Sequence, residues 1–181
     1  MTTEALSKEF TSEAWQALKD EESVVCKVLL SSAFKNEEKG QTAAQIDTDY
    51  LILFGLLHCQ GTPKDKAEKW YDILQEGGKA EHNTISASDK DINTVVKKMV
   101  DFVTCDVFGT FAPIAGVENA YSEDELSQFC SNTVETFLEE VLLEDQFGVH
   151  SNLEYDAWEK ETCEKAAYMF SAHELRAKVL S

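Results

Sequence analysis

Proline and glycine are scarce in this chain, two and eight among 181 residues. Long stretches therefore contain nothing that would interrupt a helix. Basic residues are also few, sixteen against thirty-four acidic ones, for a formal charge of −18. Such a field repels phosphate, so nucleic acid and anionic membranes are expected to be poor partners, while cations and basic peptides are favoured. The same charge also serves solubility alone. Long apolar runs are missing: the longest, Tyr50 to Leu57, is too short to span a bilayer. Residues 1–20 carry Glu4, Lys8, Glu9, Glu13 and Lys19 and are expected not to form a signal peptide. No Cys-x-x-Cys pair occurs. The five cysteines, Cys26, Cys59, Cys105, Cys130 and Cys163, are odd in number and widely spread, as expected of reduced thiols in a cytoplasmic protein.

Catalytic signatures are missing as well. There is no P-loop, no dinucleotide-binding glycine motif, no Gly-x-Ser-x-Gly and no His-Glu-x-x-His. None of His58, His82, His150 and His173 has a Glu three residues before it, which argues against a di-iron bundle. His58-Cys59 is the one adjacent His/Cys pair, and neighbours on a helix point apart, so the two make no nucleophile and base. Acid pairs such as Glu139-Glu140 arise freely among so many carboxylates. The chain is read as a non-enzyme.

What the sequence does hold is a core: 43% apolar residues, with ten Phe and three Trp. Residues 11–34 read as one or two helices capped at Thr11 or Ser12, with Trp15, Leu18, Val25, Leu29 and Leu30 on one side. A polar break over 35–42 precedes a helix over 43–59. Thr62 then caps a new helix with Pro63 in its first position and Asp65 in its first turn, running to about Gln75 and stopping at Gly77-Gly78. After a loop over 77–87, Ser88 caps a helix striped by Ile92, Val95, Val96, Met99, Phe102 and Val103. Residues 104–121 lack helical period and read as a linker or packed loop. Ser122-Glu123-Asp124-Glu125 is a capping box opening a helix with Leu126, Cys130, Val134, Phe137 and Val141 on one face. Residues 144–152 break it, a helix resumes from Tyr155 to about Phe170, and a short one follows from His173 to Leu180.

The expectation is an all-α chain in which helix, polar loop and helix recur three times. Each loop ends in a short extended sequence: Ile46-Asp47-Thr48-Asp49, Ile85-Ser86-Ala87-Ser88 and Leu153-Glu154-Tyr155-Asp156. Over roughly residues 24–165 this arrangement resembles the EF-hand calcium sensors, in particular the calcineurin-B and neuronal-calcium-sensor branch. The segment Gly61 to Tyr71 looks like the link into that family's third hand, Ile85-Ser86 like its loop centre, Leu153 to Trp158 like the fourth hand's centre and exit, and Ile46 to Phe54 like the second hand's exit. The resemblance implies two packed lobes, taken here as residues 1–60 and 61–181. It also implies that an apolar loop centre pairs with its counterpart in a neighbouring hand.

A calcium loop of this kind spans twelve residues with alternating oxygen ligands and a bidentate Glu at the last position. With the apolar centre at position eight, that last position falls on Tyr50, Asp89 and Ala157. Tyr50 and Ala157 cannot chelate, Lys35 and Lys39 stand in the first loop, and the Gln75–Asp89 loop is about three residues too long. No cofactor is therefore expected, with at most weak calcium or magnesium binding near Asp89, Glu144 and Asp145.

The resemblance then implies recognition rather than catalysis: a regulatory or adaptor protein holding a basic or amphipathic helix of a partner protein in an apolar groove. Candidate groove residues are Leu51, Phe54, Trp70, Ile73, Met99, Phe102, Phe137 and Val141, each of which would equally suit a closed core. Three methionines are few for an adaptable groove. The alternatives are a calcium sensor with displaced ligands, a helical-bundle subunit of a larger ciliary or cytoskeletal assembly, and a helical enzyme or carrier whose site one sequence does not display.

Overall fold

The computed structural model describes residues 1–9, 16–17, 19–36, 45–77, 85, 90–118, 121–144, 149–150 and 153–181. Within them the chain is mostly helical: α1 (Thr3–Glu9), α2 (Val24–Leu29), α3 (Thr48–His58), α4 (Pro63–Gly77), α5 (Lys90–Val103), α6 (Ala112–Ile114), α7 (Glu123–Leu142), α8 (Tyr155–Lys165) and α9 (Ala172–Val179). A two-residue ladder, β1 (Leu143–Glu144) with β2 (Val149–His150), is antiparallel and sets Leu143 against His150. No described helix is long and apolar enough to cross a membrane.

Helix starts follow the local chemistry. The Thr62 backbone N–H and hydroxyl both donate to the Asp65 carboxylate, at 3.1 and 2.7 Å, and the Asp65 N–H donates back to the Thr62 hydroxyl at 3.2 Å. Ser122 and Glu125 repeat the reciprocal arrangement at the start of α7. Each box satisfies N–H groups that the helix itself leaves unpaired. Those hydrogen bonds hold the Asp65 and Glu125 carboxyls below their ordinary range. At α3 the cap is Asp47, whose carboxylate accepts from the N–H groups of Asp49 and Tyr50. Asp47 is buried, and a buried carboxylate is tolerated where backbone donors surround it.

Several boundaries differ from the sequence reading. The helix placed over 43–59 begins at Thr48, because Asp47 caps it. The helix expected to reach Phe170 ends at Lys165 and gives way to a 3-10 turn over Ala167–Phe170. Within residues 104–121, read as a linker or packed loop, Asp106–Phe111 form a π-helical turn that runs into α6, Ala112–Ile114. Gly116, at φ +75°, then ends the helical run in a conformation that side chains with a Cβ resist. α1 carries no sequence stripe that announced it, and only Leu6 is buried there. Trp15 and Leu18 lie outside the described residues.

Among the described residues an apolar cluster runs from Leu6 and Phe34 to Leu175 and Val179. Two aromatic groups dominate it. Phe34, Phe54, Phe102 and Phe111 interlock, with Phe34–Phe102 at 5.2 Å and Phe54–Phe102 at 5.3 Å, so residues before position 60 pack directly on residues after it. Trp70, Phe137, Trp158 and Phe170 form the second, with Trp70–Trp158 edge-to-face at 5.1 Å. These offset and edge-on contacts suit the ring quadrupoles. The Trp158 indole N–H also donates to the Ala67 carbonyl at 3.2 Å, tying α8 to α4 inside the core.

Candidate partner-binding face

Helices α4 and α5 enter and leave the segment that contains Ile85, and α7 and α8 enter and leave the one that contains Leu153. Ile85 and Leu153 form an antiparallel bridge. Each N–H donates to the other's carbonyl at 2.8 Å, and both side chains are buried. Two loop centres thus share one pair of backbone bonds, which leaves neither centre with an unpaired buried amide. The four flanking helices pack across this bridge, α4 on α8 and α5 on α7.

Ile46 behaves differently from the expectation that it pairs with another loop centre. Its N–H donates to the Met1 carbonyl at 2.6 Å, and the Met1 amino group donates to the Ile46 carbonyl at 2.7 Å. The N-terminal segment therefore takes the place expected of a neighbouring loop, and Ile46 is fully buried beneath it.

Of the eight candidate groove residues, Trp70, Ile73, Met99, Phe102, Phe137 and Val141 are buried, and only Leu51 and Phe54 keep partial exposure. The face is closed because the chain covers it with its own C-terminal segment. The 3-10 turn Ala167–Phe170 packs on α3, α4 and α8, and α9 packs on α5 and α7. Met169, Phe170, Leu175 and Val179 are the buried anchors, with Phe170 edge-to-face on Trp70 at 5.7 Å.

Polar bonds fasten the segment at its rim. Lys66 Nζ donates to the Phe170 carbonyl at 2.7 Å and Arg176 Nε to the Val103 carbonyl at 3.0 Å. Lys178 pairs with Glu140 at 3.5 Å, and the Tyr168 hydroxyl donates to the same Glu140 at 3.3 Å. α9 is a short amphipathic helix with Leu175 and Val179 four residues apart on its buried face and Arg176 and Lys178 in its last turn. His58 lies near this rim, ring to ring with Phe54 at 4.3 Å. Burial, then the Arg176 and Lys66 charges, push its imidazole below the ordinary histidine range.

Polar atoms in this region are left over, among them Trp70 Nε1 and, on α8, Thr162 Oγ1. Trp70 Nε1 is buried with no hydrogen-bond partner among the described residues. A buried orphan donor of that kind costs about 1–3 kcal/mol. The closed face is therefore not a fully satisfied one.

The metal candidates are less informative. Asp89 and Asp145 lie outside the described residues, and the backbone of Glu144 is engaged in β1 opposite Val149. Ala157, at the position where a calcium loop needs its bidentate ligand, sits in the first turn of α8 with no oxygen in its side chain. A different convergence of donor atoms does occur among the described residues, at Asp101, Cys105 and Cys130. Sequence reading named both cysteines without joining them. The signal was the four-residue spacing of Asp101 and Cys105, which puts them on one helical face.

Compared with known proteins, the chain matches no family model, no curated protein and no solved structure.

Proposed function

We propose that this chain is a non-catalytic, EF-hand-like adaptor that binds a basic amphipathic helix of a partner protein, and that it does so with little or no calcium. The observation that carries the proposal is the occupant of the α4–α5–α7–α8 face. In a chain of charge −18, the segment lying there ends in a short helix with apolar Leu175 and Val179 below and basic Arg176 and Lys178 at the rim. A surface that accepts this segment has the shape and charge to accept a similar one from elsewhere. α9 then acts as a resident stand-in. Displacement is favoured where the incoming helix offers an acceptor to Trp70 Nε1, which the resident segment leaves unpaired.

The EF-hand-like character is supported by the Ile85–Leu153 bridge joining two helix–loop–helix units. Weak calcium binding follows from the loop chemistry, above all Ala157 where a chelating Glu is needed. Five unpaired cysteines fit a reducing, cytoplasmic setting.

The test is a binding titration with a synthetic Leu/Lys amphipathic helix, on the full chain and on a chain ending at Ala166. The shortened chain should bind one peptide per molecule, and the full chain at least about tenfold more weakly, a penalty of about 1.4 kcal/mol for displacing its own segment. Equal or absent binding by both would refute the stand-in role. Calorimetry should show no calcium site tighter than about ten micromolar, the range in which sensor loops operate. A tighter site would make the protein a calcium sensor with displaced ligands.

A further inference from the structure

Asp101 and Cys105 project from one helical face at the end of α5, and Cys130 meets them from α7. Their ligand atoms all lie within 4.8 Å of one another, and the two sulfurs are 3.5 Å apart. Cys130 is buried, Asp101 and Cys105 half-buried. From this geometry we infer a binding site for one thiophilic divalent cation of the zinc class, held by the Asp101 carboxylate, the Cys105 and Cys130 thiolates and one water.

The spacing fits that chemistry. With zinc–sulfur bonds near 2.3 Å and tetrahedral angles, two thiolates on one zinc stand about 3.8 Å apart. The sulfurs are therefore within a few tenths of an ångström of the required separation. A disulfide would need them at about 2.05 Å and would leave Asp101 without a role.

Thr104 supplies the outer support. Its hydroxyl donates to the Val100 carbonyl at 2.7 Å, and that carbonyl can only accept. The hydroxyl has a single hydrogen, so in the 3.0 Å contact with Cys130 the thiol is the donor. Once Cys130 loses its proton, the Thr104 hydroxyl can turn and donate to the thiolate, the kind of orienting contact that ligating groups commonly have. Beyond it, Lys98 pairs with Asp106 at 2.8 Å, both largely buried, so that lysine is already engaged beside the cluster.

Three anions gathered in a largely buried setting are costly, and a dication offsets that cost directly, because it supplies the positive charge they lack. Binding converts two thiols and one M²⁺ into a dithiolate complex and two released protons, so affinity falls as pH falls. The backbone setting is also unusual: the π-helical turn Asp106–Phe111 begins immediately after Cys105, and such turns occur frequently at functional sites. Calcium, which takes six to eight oxygens, does not suit two sulfurs.

The test uses the reduced full chain, without oxygen, titrated with Co²⁺ and then Zn²⁺. A thiolate-to-cobalt charge-transfer band should saturate at one ion per chain and vanish on adding one Zn²⁺. Cys105→Ser should abolish the band, Asp101→Asn should weaken affinity by at least about tenfold, and Cys59→Ser should leave it unchanged. Circular dichroism confirms that each variant keeps its helices. No band at one equivalent, a band that survives Cys105→Ser, or loss of the Cys105 and Cys130 thiols to oxidation without metal uptake would each overturn the assignment.

Discussion

Ile85 and Leu153, sixty-eight positions apart in sequence, exchange backbone hydrogen bonds of 2.8 Å in both directions. This bridge ties the segment between α4 and α5 to the segment between α7 and α8.

Truncating either side chain should open the clasp. Ile85→Ala and Leu153→Ala each remove a buried apolar group and should each lower unfolding free energy by about 2–4 kcal/mol in urea titrations. Because the two residues share one bridge, the double variant should lose less than the sum of the singles. Strict additivity would mean that the two loop centres act independently.

Trp158→Phe tests the tie between α8 and α4. The phenyl ring keeps most of the aromatic packing on Trp70 but cannot donate to the Ala67 carbonyl. The lost bond and lost volume together should cost about 1–3 kcal/mol. A variant as stable as the parent would show that the indole bond contributes nothing.

Asp47 has two tasks, being both buried and the cap of α3. Asp47→Ala leaves the Asp49 and Tyr50 amides without their acceptor and should cost at least about 1 kcal/mol. Asp47→Asn, which keeps an oxygen in place, should recover part of that loss. Thermal melts of the three proteins side by side decide the matter.

Stability should also fall on mild acidification through His58. Its folded-state pKa lies below the ordinary value of about 6.5, so the unfolded chain binds the proton first. The stability is present above about pH 6.5 and is lost as pH drops toward the folded value, where a charged imidazole must face Arg176 and Lys66. Melting temperatures compared at about pH 7.5 and about pH 5.5 should differ less in His58→Gln than in the parent. An equal difference would remove His58 from the account.

The sequence carried the helices whose ends are written in local chemistry. Ser122 to Glu125 announces its box, and Thr62 its cap, because short polar side chains satisfy nearby helix N–H groups without help from the rest of the fold, and the structure adds that Asp65 closes a box with Thr62. The loop centres Ile85 and Leu153 were legible for a related reason, since an isolated apolar residue in a polar loop must find cover. Ile46 shows the limit of that argument: pairing with a neighbouring loop centre was expected, but its partner is Met1, and no local pattern encodes which distant segment supplies the bonds.

The closed face is one of the two readings that the sequence left open for the eight groove candidates. Periodicity marks Trp70, Met99, Phe102 and Phe137 as apolar but does not reveal what covers them. The cover, Met169, Phe170, Leu175 and Val179, comes from a short, weakly patterned stretch that a pass along the chain treats as a tail. The helical run through Asp106–Phe111 escaped for a simpler reason, since a π turn breaks the 3.6-residue period by which helices are recognised. The Asp101–Cys105–Cys130 cluster depends on how α5 meets α7, which is a tertiary fact.

The measurement closest to the centre of this account is amide hydrogen exchange at Ile85 and Leu153, with calcium first removed by chelator and then restored in excess. The account predicts that both amides are protected, to the same degree as each other, and that calcium changes neither. Exchange at the rate of an open loop in chelator would contradict the clasp. Protection that arises only when calcium is added would contradict the claim that the clasp stands without metal.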